Sequence, residues 1–358
     1  MSLLHSELGR RWPWFSFGSL AVIAMRIPPK LNVGDEIRVL ALSRSLGGAM
    51  QLYGFSERDV EYATSRLEAL GLKVSFGRCV RECNGHLTAS PQHRLEDFHE
   101  AFADPSVKAI LAVVGGIGAT QILDGIDYER IKAHPKIICG YSDIGYLCNA
   151  VLARAGVTTY YGPQFTTFMM RLGAEYTIHN FRQCLFSDSP FELRPADKWS
   201  DDEWNKNQQN RNFHDNEGFW AIQDGEAEGT IIGGYYTGLN LLQGTSYFPP
   251  LREAVLFLEQ NAGGKATLME LDTGLRALSF LPEFSQVRAI VIGRFAKSGR
   301  VTRENLTAVI REIPAVRHLP VIGNCDFGHM TPILTLPIGG RCKLHVNQGK
   351  AFITLTDH

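Results

Sequence analysis

The apolar run from Ile137 to Cys139 ends abruptly in Gly140-Tyr141-Ser142-Asp143. This run predicts a buried strand, and the residues from Asp143 to Ala155 predict a helix that stops at Gly156. Ser142 is therefore expected on a sharp turn from strand to helix, where its hydroxyl is presented at the carboxyl edge of a sheet. The pattern is typical of a serine nucleophile, although a serine at this position can also be the N-cap of the helix.

Strands and helices alternate through the first half of the chain, which predicts an α/β fold with a doubly wound, mostly parallel sheet. A length of 358 residues is long for one core, so we expect two domains. The expected boundaries are an N-terminal α/β domain at 25–186, a polar connection at 187–225 and a smaller β-rich α/β domain at 226–358. Residues 1–24 precede the first regular fold signals, and we expect a mobile N-terminal extension there.

Composition narrows the possible partners. The net charge of −1 gives no electrostatic reason to expect nucleic acid or an anionic membrane as a partner. Seven cysteines are sparse, odd in number and mostly inside apolar runs, which indicates reduced thiols rather than a disulfide framework. We therefore expect a cytoplasmic protein.

A glycine-rich loop, Gly115-Gly116-Ile117-Gly118, follows the predicted strand before the Ser142 strand. Ligands of open α/β sheets bind at the carboxyl ends of strands, so both loops are expected at one site. The glycine loop and the backbone N–H of Asp143 can supply the two donors of an oxyanion hole. An alternative is half of a dinucleotide fingerprint, but Gln121 stands where its third glycine belongs.

A serine nucleophile needs a base and an orienting carboxylate. His329 lies in a glycine-bracketed loop directly after a predicted strand, and Glu259 ends the apolar run Val255 to Leu258. These two are the candidates, although a loop histidine is often structural and an acid at a strand end is often solvated. The chain order Ser, Glu, His is the order used by α/β-hydrolases.

Other chemistries have weaker signals. Cys79 and Cys83 lack a second pair at metal-ligand spacing, and no His-Glu-x-x-His motif occurs, so we expect no metal. Trp199 and Trp204 lie in the polar connection. Each is either an exposed aromatic or part of an aromatic wall over a pocket.

At this point the chain resembles a known family, the serine LD-carboxypeptidases, and within it the microcin C self-immunity branch. The resemblance extends from Pro28 to the C-terminus. The motifs that carry it are Gly115-Gly116-Ile117-Gly118, Leu123 to Tyr128, Gly140-Tyr141-Ser142-Asp143, Tyr161-Gly162-Pro163, Gly225 to Gly229, Ile232-Gly233-Gly234, Leu256 to Glu259, Gly328-His329 and Leu336 to Gly339.

The resemblance implies a flavodoxin-like first domain, a smaller β-rich second domain and a catalytic triad across their interface. Ser142 would be the nucleophile, Glu259 the orienting carboxylate and His329 the general base, with the N–H groups of Gly116 and Asp143 as the oxyanion hole. It implies no metal or organic cofactor. The expected partner is a small peptide or peptidyl-nucleotide substrate, and we expect a homodimer.

Three departures from the family bear on the substrate. Val114 stands where the murein-recycling branch typically has arginine, Gly233-Gly234-Tyr235-Tyr236 replaces the usual Gly-Gly-Asn-Leu, and Gln260 replaces an aspartate. Because an aromatic face at Trp199 and Trp204 could stack a nucleobase, we expect a peptidyl- or aminoacyl-nucleotide amide like that of microcin C. The alternatives are a murein tetrapeptide that loses D-alanine, and a non-catalytic protein that binds a peptide-nucleotide.

Overall fold

The computed structural model describes residues 25–260 and 267–358. The expected mobile extension at 1–24 lies outside the described residues. The described part contains two large sheets, and the elements that position the functional residues are the carboxyl ends of parallel strands in both.

The first sheet has six strands in the spatial order β2-β1-β3-β4-β5-β14, of which the first five are parallel. This is the flavodoxin-like order for a doubly wound sheet. Its central strands are apolar runs buried on both faces, because helices cover both sides of a parallel sheet. The strands are β1 (Glu36–Leu40), β2 (Lys73–Phe76), β3 (Val107–Ala112), β4 (Ile137–Gly140), β5 (Thr159–Tyr161) and β14 (Leu336–Ile338).

Helices connect these strands. They are α1 (Leu46–Tyr53), α2 (Glu57–Ala69), α3 (Pro91–Ala103), α4 (Tyr128–Ala133), α5 (Ile144–Ala155) and α6 (Glu175–Phe186), with 3-10 turns at Ala119–Gly125 and Phe165–Met169. Helix α5 ends at Gly156, whose left-handed backbone closes the last turn. Nearly all of α5 is buried, because the helix packs between the first sheet and the second domain.

The second sheet has eight strands in the order β6-β16-β15-β10-β11-β12-β13-β9. Strands β10 to β13 are parallel to one another, and the outer strands run antiparallel to their neighbours. The strands are β6 (Phe191–Leu193), β9 (Trp220–Gln223), β10 (Gly225–Tyr235), β11 (Ala254–Glu259), β12 (Ala289–Gly293), β13 (Val321–Cys325), β15 (Arg341–Asn347) and β16 (Lys350–Asp357). The helices of this half are α7 (Tyr236–Leu241), α8 (Thr267–Ser279) and α9 (Arg303–Glu312), with 3-10 turns at Pro282–Gln286, Lys297–Gly299 and Pro314–Val316.

The structure differs from the expected domain boundaries at two places. The segment 187–225 is more than a connection, since β6 and β9 form the two edges of the second sheet, and a small hairpin of β7 (Lys198–Trp199) and β8 (His214–Asp215) lies between them. In addition, β14 leaves the second domain and pairs antiparallel with β5 at the edge of the first sheet. The loop that carries His329 therefore connects β13 of the second sheet with β14 of the first sheet.

All seven cysteines are unpaired within the described residues, and six of them are buried. None of the helices in the described part of the chain combines the length and apolarity that a bilayer crossing needs.

Candidate active site

Ser142 lies on the turn between β4 and α5 with a positive φ of 63°. A left-handed backbone is uncommon for a residue other than glycine and is found at strained functional turns. The backbone N–H of Ser142 donates to the hydroxyl of Tyr161 at 2.9 Å, which holds the turn. Asp143, and not Ser142, occupies the N-cap position of α5. The alternative that Ser142 is a helix cap therefore does not hold, and its hydroxyl is available for other contacts.

The glycine loop packs directly against Ser142. A Cβ on Gly115 would lie 2.8 Å from the Cβ of Ser142, so only glycine permits this approach. The Asp143 carboxylate accepts hydrogen bonds from the Ser43 hydroxyl at 2.5 Å and from the backbone N–H of Ala119 at 2.8 Å. Burial raises the pKa of the Asp143 carboxyl above its usual range. This side chain, for which sequence reasoning predicted only a backbone role, links the glycine loop to the Ser142 turn.

Glu259 is the last residue of β11, and its side chain is fully buried. It is therefore not a solvated strand end. One carboxylate oxygen accepts from the hydroxyl of Tyr161, and the other lies 2.8 Å from Nδ1 of His329. A Cβ on Gly328, which has a φ of +106°, would lie 2.5 Å from that second oxygen. The glycine before His329 is thus required by the close approach of the glutamate.

His329 lies in the loop between β13 and β14, and its side chain is 12% exposed. Its Nε2 is 2.9 Å from Oγ of Ser142. In the tautomer that carries its proton on Nδ1, the imidazole donates to Glu259, and Nε2 can accept from the serine hydroxyl. The rings of Tyr141 and Tyr235 stand at an angle to the imidazole with centroids 5.4 and 5.8 Å away. The structure therefore joins Ser142, His329 and Glu259 in one line of hydrogen bonds.

The two tryptophans of the polar segment lie in different environments. Trp204 lines a cleft of about 340 Å³ that also contains Ser142, His329 and Gly116. Trp199 does not line this cleft, which corrects its assignment to the substrate pocket. Its indole is 9% exposed, because the guanidinium of Arg294 covers it at 4.8 Å and the ring of His214 packs against it at 5.1 Å.

The wall of the cleft carries residues that the sequence did not single out. Phe55 stacks on Trp204 with ring centroids 5.5 Å apart, and Tyr53 packs against Phe55 at 5.7 Å. Arg44 also lines the cleft. Within the described residues no group of three histidines, cysteines or carboxylates is placed to hold a metal ion.

A larger, shallow depression of about 430 Å³ lies over β10, β15 and β16. Its charged side chains pair with one another, His345 with Glu226 at 2.7 Å and Lys343 with Glu228 at 3.3 Å. None of its described lining residues is a serine or a cysteine, whereas the cleft at Ser142 contains both a serine and a histidine.

The arrangement is typical of a serine hydrolase. It has a serine on a strand-to-helix turn, an imidazole within hydrogen-bond reach of the serine, and a buried carboxylate on the far side of the imidazole. Comparison with known proteins defines the family. Residues 37–162 match the model of the LD-carboxypeptidase N-terminal domain, and residues 228–344 match that of the C-terminal domain. The chain belongs to this family, peptidase S66, and is a serine-type carboxypeptidase.

Relatives by sequence cover nearly the whole chain. Bacillus subtilis YocD, named as a carboxypeptidase, is 43% identical over 92% of this chain and 99% of its own. A second Bacillus subtilis protein, named as a murein peptide carboxypeptidase, is 28% identical over 93% of this chain and 96% of its own.

Solved structures agree in fold. An MccF-like protein from Bacillus anthracis has a TM-score of 0.89 at 43% identity, and the match covers 93% of this chain and 100% of that one. The microcin C7 self-immunity protein MccF, which is found in Escherichia coli, was solved in complex with glutamyl sulfamoyl guanosine. It has a TM-score of 0.80 at 25% identity and covers 92% of this chain and 98% of its own. These likenesses confirm the family and the two-sheet fold expected from the sequence.

Proposed function

We propose that Ser142, His329 and Glu259 form the catalytic triad of an enzyme that hydrolyses an amide near a carboxyl terminus. The observation that carries the proposal is the unbroken line of contacts from Ser142 Oγ to His329 at 2.9 Å and from His329 to Glu259 at 2.8 Å. Distances in this range permit proton transfer without rearrangement of the side chains.

In the proposed reaction Ser142 Oγ attacks the amide carbonyl and gives its proton to Nε2 of His329. The imidazolium is stabilised by Glu259, which keeps Nδ1–H oriented and remains ionised. His329 then donates the proton to the leaving nitrogen as the C–N bond breaks, which leaves an acyl-serine. Water, deprotonated by the same imidazole, releases the acid and restores the serine.

The oxyanion of the tetrahedral intermediate needs preorganised donors. The backbone N–H of Ser142 is taken by Tyr161. The N–H of Asp143 at the start of α5 and the N–H of Gly116 in the glycine loop are the donors we propose. The positive end of the twelve-residue helix α5 adds to the stabilisation of negative charge at this point.

For the substrate we propose a peptidyl- or aminoacyl-nucleotide amide, with a murein tetrapeptide as the second candidate. The partly exposed ring of Trp204, which stacks on the buried Phe55 and lines the same cleft as Ser142, supports the first, since a nucleobase can stack on it and a D-alanine terminus cannot. The MccF relative bound to glutamyl sulfamoyl guanosine supports the same choice. The relative named as a murein peptide carboxypeptidase is the reason to keep the second.

The test compares both substrates at equal concentration with the native enzyme and with Ser142→Ala. We expect product from the native enzyme, a higher kcat/KM for the aminoacyl sulfamoyl nucleoside, and turnover lowered by several orders of magnitude in the variant. A higher kcat/KM for the tetrapeptide would favour the second candidate. Stoichiometric binding of the nucleotide without release of product would indicate a sequestering immunity protein and overturn the catalytic proposal.

A further inference from the structure

Arg44 lies in the loop after β1 and is fixed against the glycine loop by its backbone. Its N–H donates to the carbonyl of Gly115 at 3.4 Å, and the residue forms an isolated antiparallel bridge with Val114. Its guanidinium lies over the next glycine, because a Cβ on Gly116 would be 3.0 Å from Arg44 Cζ and 3.2 Å from each Nη. The charge is therefore held over Gly116, one residue from the Gly115 that packs against Ser142.

The guanidinium has few partners in the protein. Nη1 donates to the hydroxyl of Tyr53 at 2.8 Å, and Cζ lies 5.6 Å from the centroid of the same ring. Nε is buried without a hydrogen-bond partner. No carboxylate of residues 25–260 or 267–358 forms an ion pair with it. The second N–H of Nη1 and both N–H groups of Nη2 make no hydrogen bond within the described residues, so these donors are the ones that can serve a ligand.

A partly desolvated arginine with free donors is suited to a planar or tetrahedral anion, which it can bind through two parallel hydrogen bonds. Among the described residues that line the cleft, Arg44 is the one arginine or lysine. Carboxypeptidase substrates carry an anion close to the scissile nitrogen, on the side that leaves. In a peptide this anion is the terminal carboxylate, and in an aminoacyl nucleotide it is the phosphate-like link to the nucleoside.

We propose that Arg44 is the specificity-determining residue that binds the anionic group on the leaving side of the scissile amide. This inference rests on the proposed function of Ser142. A series of contacts continues beyond the cation, from Tyr53 to Phe55 at 5.7 Å and from Phe55 to Trp204 at 5.5 Å. A substrate with an anion followed by a planar group meets the cation first and the aromatic wall second, which is the order of groups in a nucleotide.

The test measures Arg44→Gln and Arg44→Lys with two pairs of substrates. The first pair is a tetrapeptide that ends in D-alanine and the same peptide that ends in D-alaninamide, which differ in the anion alone. The measured quantity is the ratio of their kcat/KM values. We expect Arg44→Gln to lower this ratio by about 10- to 100-fold. Arg44→Lys should lower it less, because lysine keeps the positive charge but lacks the two parallel N–H donors of the guanidinium. An unchanged ratio would overturn the proposal, even if both substrates were cleaved more slowly.

The second pair separates the two sources of the anion. An aminoacyl sulfamoyl adenosine is compared with the tetrapeptide acid, and the substrate whose kcat/KM falls further in Arg44→Gln is the one whose anion Arg44 binds. Arg341→Gln is the matched control, since Arg341 lies on β15 and pairs with Glu228 outside the cleft. A loss in the control as large as that in Arg44→Gln would also overturn the assignment.

Measurements of substrate binding can test the role of Arg44 independently of the proposed catalytic function. With Ser142→Ala as background, the Kd of the peptide acid and of its amide are measured with and without Arg44→Gln. A selective loss of acid binding supports Arg44 even if no substrate is turned over. If Ser142 reacts with a fluorophosphonate but Arg44→Gln leaves acid binding unchanged, the function stands and the role of Arg44 fails.

Discussion

The hydroxyl of Tyr161 donates a hydrogen bond to the carboxylate of Glu259, and both side chains are fully buried. The same hydroxyl accepts the backbone N–H of Ser142 at 2.9 Å. One phenol thus connects the turn that carries the serine, in the first domain, with the carboxylate behind His329, in the second. Burial raises the pKa of Tyr161 well above its usual range, so the phenol remains a donor at neutral pH.

We expect Tyr161→Phe to lower kcat/KM by about 10- to 100-fold, because it leaves a buried N–H and a buried carboxylate oxygen without a partner. Tyr160→Phe is the control one residue away. The hydroxyl of Tyr160 is buried and makes no hydrogen bond within the described residues. Steady-state kinetics of both variants test the role, and an equal effect of the two changes would show that the Tyr161 hydroxyl does not position the site.

Glu259→Gln keeps the size of the side chain and removes its charge. We expect a loss of about 10³- to 10⁴-fold in kcat, since the amide no longer fixes the Nδ1–H tautomer or stabilises the imidazolium. Glu253→Gln, at an exposed position just before β11 that pairs with Arg288 at 3.4 Å, should change kcat little. A loss smaller than tenfold in Glu259→Gln would contradict the proposed role of the carboxylate.

The two tryptophans should differ in their effect on selectivity. Trp204→Ala removes one ring of the aromatic wall, and we expect the kcat/KM for an aminoacyl nucleotide to fall about 10- to 100-fold relative to that for a tetrapeptide. Trp199→Phe should leave this ratio unchanged, because the ring packs against Arg294 outside the cleft. The ratio of the two specificity constants is the measurement. An equal fall for both substrates in Trp204→Ala would argue against base stacking.

Lys136, just before β4, gives a prediction about stability. Burial lowers the pKa of its amine from 10.5 to about 8, although its Nζ donates to the carbonyl of Ala101 at 2.8 Å. Below pH 8 both the folded and unfolded states hold the proton. Between pH 8 and 10.5 only the unfolded state holds it, so the free energy of unfolding rises with pH over this window.

Relative to Lys136→Met, the native protein should gain about 2 kcal/mol of unfolding free energy between pH 8 and pH 10.5. Urea unfolding of both proteins at several pH values measures the difference. Lys73→Met, at an exposed position of β2, controls for the loss of one lysine charge. A native-minus-variant difference that stays flat or falls across this window would contradict the prediction.

The local sequence was sufficient to predict the strands and the helix next to Ser142 and Glu259. The apolar run before Ser142 became β4, and the helix expected after it became α5, which ends at Gly156 as expected. The apolar run before Glu259 became β11. These outcomes depend on hydrophobic periodicity and on the backbone freedom of glycine, which act over a few residues and are visible in the chain itself.

The tertiary structure alone decided the relations between distant residues. Trp199 and Trp204 lie five residues apart in one polar segment, and only the partners Arg294 and Phe55 determine which is covered and which lines the cleft. Tyr160 and Tyr161 are adjacent in β5 with equal local propensity. Strand alternation sends their hydroxyls to opposite faces, and the pairing of domains brings Glu259 to one of them. Arg44 lies in a loop that carries no functional signal in the sequence, and its pairing with Val114 places it in the cleft. Contacts of this kind depend on which surfaces meet after the sheets have formed, and no short-range pattern encodes them.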